Sequence, residues 1–257
     1  MDDRGPAAAS PLYRGMSGRI LSVSDAHLFD LNAPDAQAFL AFLERPDTAT
    51  AQLVVLNGDI FDFFVGRQRV ALRHYAPVLE RIETLATRTQ VVFVQGNHDF
   101  HLDRVLSSNV AVVDQFDTIT SAGLRVRWLH GDYVAPSRGY LAGHRALRSS
   151  AALWLTEHLP AHLAWQLALT MSRTSRDQGH DATPAQLDAL RPQAARAARG
   201  SDLLVTGHFH CPHVAQLDGG GTWVSVGPWL NDCWYLSIEG DQWRVQQFDE
   251  SGVTPPA

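Results

Sequence analysis

The chain has 257 residues, 45% of them hydrophobic and 19% charged, which is enough for a large buried core. Its 21 basic and 27 acidic residues give a net charge of −6, which disfavours general nucleic-acid binding because that function needs a basic surface. All the basic residues are arginine, which excludes lysine Schiff-base chemistry and a Walker-type phosphate lysine, and the 12 histidines are a high number for this length.

The folded domain is predicted to span residues 18–250, with a flexible tail at each end. Residues 1–17 are rich in Gly, Pro, Ala and Ser, and residues 251–257 have a similar composition. The first residues show neither the basic region nor the apolar region that is typical of a secretory signal. The only two cysteines, Cys211 and Cys233, cannot form a disulfide framework, so a cytoplasmic location is predicted.

Five short apolar runs along the chain predict buried strands, because their length and β-branched content favour strands over helices. The runs are Ile20–Val23, Leu53–Leu56, Val91–Val94, Val126–Leu129 and Leu203–Val205. Helical patterns at Asp35–Glu44 and Tyr75–Ala86 separate the first three runs, which indicates βαβ units and an α/β fold. Further strands are predicted near Trp223–Val226, Cys233–Ile238 and Trp243–Phe248, with a hairpin turn at Gly219–Gly221.

A helix-rich block at about residues 138–200 interrupts the strands and is predicted to be an inserted cap. Its eight Arg and four acidic residues give this block a charge of +4, whereas the rest of the chain carries −10. A basic and apolar insertion suits a lipid with an anionic diphosphate, because Arg makes bidentate phosphate contacts. The Leu and Trp residues of the block are equally suited to bind acyl chains, contact a membrane or pack one helical hairpin on another.

Each of the five core strands is followed by side chains that can bind metal ions. They are Asp25, His27, Asp59, Asn97, His130, His208 and His210. Strand ends converge at one edge of an α/β sheet, so these side chains are expected to share one site. With Asp59 as a bridge they make two sites of four ligands, which suits two metal ions about 3.5–4 Å apart with a water between them. The mixture of carboxylate, amide and imidazole favours Mn, Fe or Zn over Ca or Mg.

The motifs around these ligands resemble those of the calcineurin-like metallophosphoesterases, in the order of that family. They are Asp25-x-His27, Gly58-Asp59, Gly96-Asn97-His98-Asp99, His130 and Gly207-His208-x-His210. The resemblance implies a four-layer α/β/β/α sandwich with a dinuclear centre and an inserted helical cap. It places Asp25, His27, Asp59 and His210 at one metal, and Asp59, Asn97, His130 and His208 at the other. It also implies that His98 stabilises the phosphate charge or protonates the leaving oxygen, and that Asp99 holds the His98 ring.

Within this family the sequence is most similar to the UDP-2,3-diacylglucosamine pyrophosphatases of lipid A synthesis. The supporting segments are Ser24–Leu28, Gly58–Gly66, Leu129–Asp132 and the long insertion before the last His motif. The resemblance implies attack of a metal-bound hydroxide on the diphosphate of an acylated nucleotide sugar, which releases UMP and a sugar 1-phosphate. It implies two divalent ions, Mn²⁺ in the first place and Fe or Zn as alternatives. It also implies substrate contacts from Arg173, Ser175 and Arg176, and peripheral contact of the cap with the inner face of the membrane.

Two other functions remain open at the level of sequence. Members of that subgroup commonly carry Arg at the position of His98, so His98 also fits a general phosphodiesterase or phosphomonoesterase that acts on a smaller soluble substrate. A non-catalytic interaction module on the same fold is disfavoured, because all the predicted ligands and His98 are present. The sequence does not indicate an oligomeric state.

Overall fold

Two six-stranded sheets lie at the centre of the computed structural model, which describes residues 13–136, 138–158, 160, 163, 166 and 181–249. The strands are β1 (Tyr13–Met16), β2 (Ile20–Val23), β3 (Leu53–Asn57), β4 (Phe64–Val65), β5 (Gln90–Val94), β6 (Asp99–Phe100), β7 (Val110–Val113), β8 (Gln115–Thr120), β9 (Arg125–Leu129), β10 (Leu203–Thr206), β11 (His213–Gln216), β12 (Thr222–Ser225), β13 (Trp234–Glu239) and β14 (Gln242–Gln247). The helices are α1 (Pro34–Glu44), α2 (Pro46–Ala49), α3 (Arg69–His74), α4 (Ala76–Ala86), α5 (Arg138–Leu147), α6 (Ser150–His158), α7 (Pro184–Ala189) and α8 (Arg191–Ala198), and a 3₁₀ turn covers Leu102–Arg104.

The first sheet has the strand order β14-β13-β2-β3-β5-β7, and the second has the order β1-β8-β9-β10-β12-β11. In the first sheet, β2, β3, β5 and β7 run parallel to one another, as the βαβ pattern predicts. In the second sheet, β9, β10 and β12 are parallel to one another. A third, two-stranded sheet pairs β4 with β6. The carboxyl ends of β2, β3, β5, β9 and β10 therefore carry the loops with the predicted ligands.

Three apolar layers hold the sheets and helices together. The first layer lies between the first sheet and helices α1 and α4, where the buried residues of α1 include Ala36, Phe39 and Leu43 at helical spacing. The second lies between the two sheets, and the third lies between the second sheet and helices α7 and α8. The order of layers is helix, sheet, sheet, helix, so the predicted four-layer sandwich is confirmed.

The five core strands form where the apolar runs predict them, but the structure differs from the prediction at the start of the chain. The expected tail covers residues 1–17, whereas Tyr13–Met16 form β1 and pair in parallel with β8. Only Met16 of this strand is buried, and Gly15 has a positive φ of 66°, so the segment lacks the apolar alternation that identifies a strand. The segment forms a strand because it pairs with β8, about a hundred residues further along the chain.

The structure also divides the block that was predicted as a single cap. Helices α7 and α8 pack on the second sheet through Leu187, Ala194 and Ala198, so they belong to the outer layer of the sandwich. Helix α6 instead places Leu153 against Phe63 and against Val65 and Phe100 of the two-stranded sheet. In the part of the chain that the structure describes, no helix has the length and apolar character needed to cross a bilayer.

Candidate metal centre

The loops that follow β2, β3 and β10 have an unusual backbone conformation at the predicted ligands. Five of these residues have a positive φ: Asp25 (53°), His27 (42°), Asp59 (53°), His208 (69°) and His210 (50°). A non-glycine residue in the left-handed region costs on the order of 1–3 kcal/mol, and such residues gather at functional sites. The first sheet supplies Asp25, His27, Asp59 and Asn97, and the second supplies His130, His208 and His210.

One group of donor atoms comes from Asp25, His27 and His210, which lie within 4.8 Å of one another. The Nε2 atoms of His27 and His210 are 3.0 Å apart, and Nε2 of His210 is 3.6 Å from Oδ1 of Asp25. Two ring nitrogens that face each other at this distance cannot both carry a proton. Lone pairs and a carboxylate that point into the same space suit a divalent cation.

A second group consists of Asp59, His130 and His208, again within 4.8 Å, with Asn97 beside them. The Oδ1 atom of Asn97 is 3.2 Å from Nε2 of His130 and 3.0 Å from Nδ1 of His208. This group combines carboxylate, amide and imidazole donors, which is the mixture expected for Mn, Fe or Zn.

Asp59 lies between the two groups. Its Oδ2 atom is 3.2 Å from Nε2 of His130 in the second group and 3.9 Å from Nε2 of His27 in the first. The carboxylate is almost completely buried. The donor set therefore has the arrangement that two adjacent cations with Asp59 shared between them would need.

Hydrogen bonds to the backbone hold several of these donors in orientation. Nδ1 of His130 donates to the carbonyl of Asn57 at 3.0 Å, which leaves Nε2 to face the centre. The backbone N–H of His208 donates to the Asp25 carboxylate at 2.9 Å. The backbone N–H of His98 donates to Oδ1 of Asp59 at 2.8 Å, so the free direction of this carboxylate lies at Oδ2.

Burial and charge set the protonation of the histidines. Burial lowers the pKa of His27 well below its usual value and lowers the pKa of His208 to about 3, so both rings are neutral, as metal ligands must be. At His130 burial also lowers the pKa, but the charge of Asp59 and its hydrogen bond outweigh burial and raise it well above the usual value. A cation in the second group would take the place of the His130 proton.

Two glycines allow the loops to approach each other this closely. A Cβ atom on Gly58, which has a φ of +84°, would lie 2.4 Å from Nδ1 of His130. A Cβ atom on Gly96 would lie 2.1 Å from Oδ1 of Asp59. The glycines beside the ligand motifs thus make room for the close approach of these loops.

His98 and Asp99 lie beside the donor groups, with the centre of the His98 ring 4.8 Å from that of His27 in the first group, but their contacts differ from the expectation. Nδ1 of His98 donates to the backbone carbonyl of Asp62 at 2.6 Å, so the main chain, rather than Asp99, orients this ring. The Asp99 carboxylate is completely buried and accepts backbone N–H groups of four residues. They are Asp59, Ile60, Phe61 and Gly96, at 2.6–3.1 Å. Asp99 therefore holds the backbone of the Asp59 loop, because its oxygens are occupied there.

Two carboxylates outside the set of predicted ligands also lie near the centre. Oδ1 of Asp181 lies 3.4 Å from Nδ1 of His210, and Oδ1 of Asp62 lies 3.9 Å from Nδ1 of His27. Asp62 follows the Gly58-Asp59 motif closely enough to be suspected, whereas Asp181 carries no motif. The predicted substrate contacts Arg173, Ser175 and Arg176 lie outside the described residues.

Comparisons with known proteins show which proteins this chain resembles. The model of the calcineurin-like phosphoesterase family matches residues 18–212. A protein of Aeromonas salmonicida named UDP-2,3-diacylglucosamine hydrolase is 30% identical over 249 residues, which cover 91% of this chain and 95% of that protein. A protein of the same name from Pseudomonas fluorescens is 27% identical over 243 residues, which cover 90% of this chain and 95% of that protein. Among solved structures, a phosphoesterase from E. coli aligns with 89% of this chain and 92% of its own, with 20% identity and a TM-score of 0.46.

Proposed function

The chain belongs to the calcineurin-like phosphoesterase family and is a hydrolase, and on that premise we propose that it cleaves the diphosphate of a lipid-linked nucleotide sugar. The proposed substrate is UDP-2,3-diacylglucosamine or a close analogue, and the products are UMP and the acylated sugar 1-phosphate. The observation that carries the hydrolytic part of the proposal is the position of the Asp59 carboxylate between two groups of donor atoms.

We assign Asp25, His27, Asp59 and His210 to one divalent ion, and Asp59, Asn97, His130 and His208 to the other. Mn²⁺ is the first choice, with Fe or Zn as alternatives. When bound, the two ions supply a nucleophile from water at neutral pH and neutralise the charge of the phosphate. The chain itself holds the two groups at a fixed separation through Asp59.

His98 is the proposed acid or charge-stabilising group. Because its Nδ1 donates to the Asp62 carbonyl, its Nε2 is the atom that can exchange a proton with the leaving oxygen. Asp99 supports this role from a distance, since it fixes the backbone of the Asp59 loop. We therefore treat Asp99 as a positioning residue.

The lipid part of the substrate is supported by the relatives and by the surface of the cap helices. The relatives named above are called UDP-2,3-diacylglucosamine hydrolases, and they align over nearly their whole length. On α6, the side chains of Trp154 (61% exposed) and Leu155 (52% exposed) present apolar surface to the outside. An acyl chain or a membrane surface would cover such residues. We accordingly propose a cytoplasmic protein in peripheral contact with the inner face of the membrane.

The test compares the hydrolysis of three substrates. The protein is first freed of metal and then reloaded with Mn²⁺. UMP release is measured from UDP-2,3-diacylglucosamine and from the unacylated UDP-N-acetylglucosamine, and hydrolysis of bis(p-nitrophenyl) phosphate is measured in parallel. We expect the acylated substrate to have the highest kcat/KM. Rapid hydrolysis of the simple diester together with no UMP release from the acylated substrate would reject the proposed substrate.

That second outcome would favour the alternative, a general phosphodiesterase or phosphomonoesterase on a smaller soluble substrate. The observation in its favour is the presence of His98 at the phosphate-facing position of the Gly96-Asn97-His98-Asp99 motif. Both functions use the same metal ligands, so only the substrate comparison separates them.

We also keep Arg173, Ser175 and Arg176 as proposed substrate contacts, on the strength of the sequence. Arg173→Ala and Arg176→Ala are expected to raise KM for the acylated nucleotide sugar and to leave KM for bis(p-nitrophenyl) phosphate unchanged. An equal rise in KM for both substrates would argue against a role of these residues in substrate recognition.

A further inference from the structure

Helix α5 contacts two of the loops that carry the proposed ligands of the second ion. The first contact is at its beginning, where the hydroxyl of Tyr140 donates to Oδ2 of Asp132 at 2.8 Å. Asp132 is buried and lies two residues after His130, in the loop that follows β9. The start of α5 is therefore attached to the His130 loop.

The second contact is just beyond the end of the helix, at Arg148. Its Nη2 atom donates to the carbonyl of Gly96 at 2.8 Å, and Gly96 directly precedes Asn97. Nη1 donates to Oδ1 of Asp114 at 2.6 Å, and the guanidinium carbon lies 5.1 Å from the centre of the Phe100 ring. These contacts fix the plane of the guanidinium, so the bond to Gly96 has a defined direction.

The two contacts belong to one face of the helix. Tyr140, His144 and Arg148 are spaced four residues apart, which places them one above the other. The backbone N–H of Arg148 donates to the carbonyl of His144 at 3.0 Å, so the helical hydrogen bonding continues to Arg148. The His144 ring is buried and stacks on the Tyr140 ring, with a centroid distance of 5.7 Å. Eight residues of helix make a rigid connection of roughly 12 Å.

We propose that α5 is a clamp whose two ends, Tyr140 and Arg148, fix the His130 loop and the Asn97 loop relative to each other. Asn97 and His130 face each other at 3.2 Å between Oδ1 and Nε2, so a shift of either loop changes the cavity of the second ion. Tyr140 and Arg148 are then positioning residues that raise the affinity for that ion. The inference rests on the dinuclear centre proposed above.

The test measures the binding of Mn²⁺ to metal-free full-length protein, independently of hydrolysis. The free ion is followed by its paramagnetic resonance signal, and bound metal is counted by elemental analysis. Wild type is expected to bind two equivalents. Tyr140→Phe removes one hydroxyl and keeps the ring, and Arg148→Met keeps the length of the chain without the guanidinium. Each variant is expected to lower the affinity for one of the two ions by about 10–100-fold and to leave the affinity for the other unchanged.

The double variant shows whether the helix acts as a unit. If either broken end releases the clamp, the double variant has the affinity of the weaker single variant. A matched control is Arg145→Met, because Arg145 is an exposed arginine of the same helix. This control is expected to bind both ions like wild type.

Two results would overturn the clamp and leave the proposed function intact. One is wild-type affinity for both ions in Tyr140→Phe and Arg148→Met. The other is a double variant whose loss of affinity is the product of the two single losses, which would mean that the ends act independently. A wild-type protein that binds fewer than two equivalents would instead refute the dinuclear centre itself.

Discussion

The Oδ2 atom of Asp59 lies 3.2 Å from Nε2 of His130, and both side chains are almost completely buried. Burial alone would raise the pKa of Asp59. The neighbouring histidines, His130 first among them, outweigh burial and lower this pKa well below its usual value. The pair thus reserves a negative carboxylate at the point where the two donor groups meet.

Asp59→Asn keeps the size of this side chain and removes its charge. We expect the bound metal to fall below two ions per chain and hydrolysis to fall to background, because the substituted amide is a poor bridge between two cations. Elemental analysis and a phosphodiester assay measure the two effects. Asp218→Asn, at an exposed carboxylate, serves as the control. Full metal content and full activity in Asp59→Asn would refute the bridging role.

His98→Gln separates catalysis from metal binding. The variant is expected to keep both ions. Its kcat is expected to be lower by roughly 10²–10⁴-fold, which is the usual contribution of a general acid or base. The metal content and kcat are measured on the same preparation. A variant with unchanged kcat would show that His98 has no part in the reaction, and a variant that loses metal would make it part of the metal centre.

Asp99→Asn tests the scaffold beneath the Asp59 loop. Its carboxylate accepts N–H groups from four residues, and a side-chain amide places its own N–H₂ against some of them. We expect the free energy of unfolding to fall by about 3 kcal/mol, since each buried donor left without an acceptor costs about 1–3 kcal/mol. Urea denaturation measures the change. Asp103→Asn, at an exposed site, is expected to have no measurable effect.

Gly58→Ala and Gly123→Ala separate backbone strain from steric conflict. Both glycines have a similar positive φ, +84° and +89°, but a Cβ atom on Gly123 meets nothing within 4 Å, whereas one on Gly58 meets the His130 ring. Gly123→Ala is expected to cost about 1–2 kcal/mol of stability through strain alone. Gly58→Ala is expected to cost more and also to weaken metal binding, because His130 must move. Equal effects of the two substitutions on stability and metal affinity would contradict this explanation.

The parts of the fold that the sequence predicts well are those in which the local pattern and the burial agree. The core strands are buried on both sides and therefore read as continuous apolar runs, and the ligands follow them within a few residues. Strand β1, in contrast, is mostly exposed, and it depends on pairing with β8, which is distant in sequence.

In the candidate centre, too, some features could be predicted from the sequence and others could not. The seven candidate ligands could be chosen from the sequence, because each type of side chain has a known affinity for metals and each follows a predicted strand, and the structure brings them together. The contacts of His98 and Asp99 could not, because two adjacent residues can turn in opposite directions, and here one contacts the Asp62 carbonyl while the other accepts backbone N–H groups. The division of the predicted cap likewise depends on which surface each helix covers, and α7 and α8 cover the second sheet.

Each proposed ion would take ligands from both sheets of the sandwich: His27 from the first sheet and His210 from the second, and then Asp59 from the first and His130 from the second. Bound ions would therefore cross-link two layers that are otherwise joined by apolar packing and by hydrogen bonds such as that of His130 with the Asn57 carbonyl. Because only the folded protein, with its two sheets packed together, would bind the ions, the midpoint of thermal unfolding should rise with the concentration of the divalent ion. The proposed catalytic centre would then also stabilise the fold.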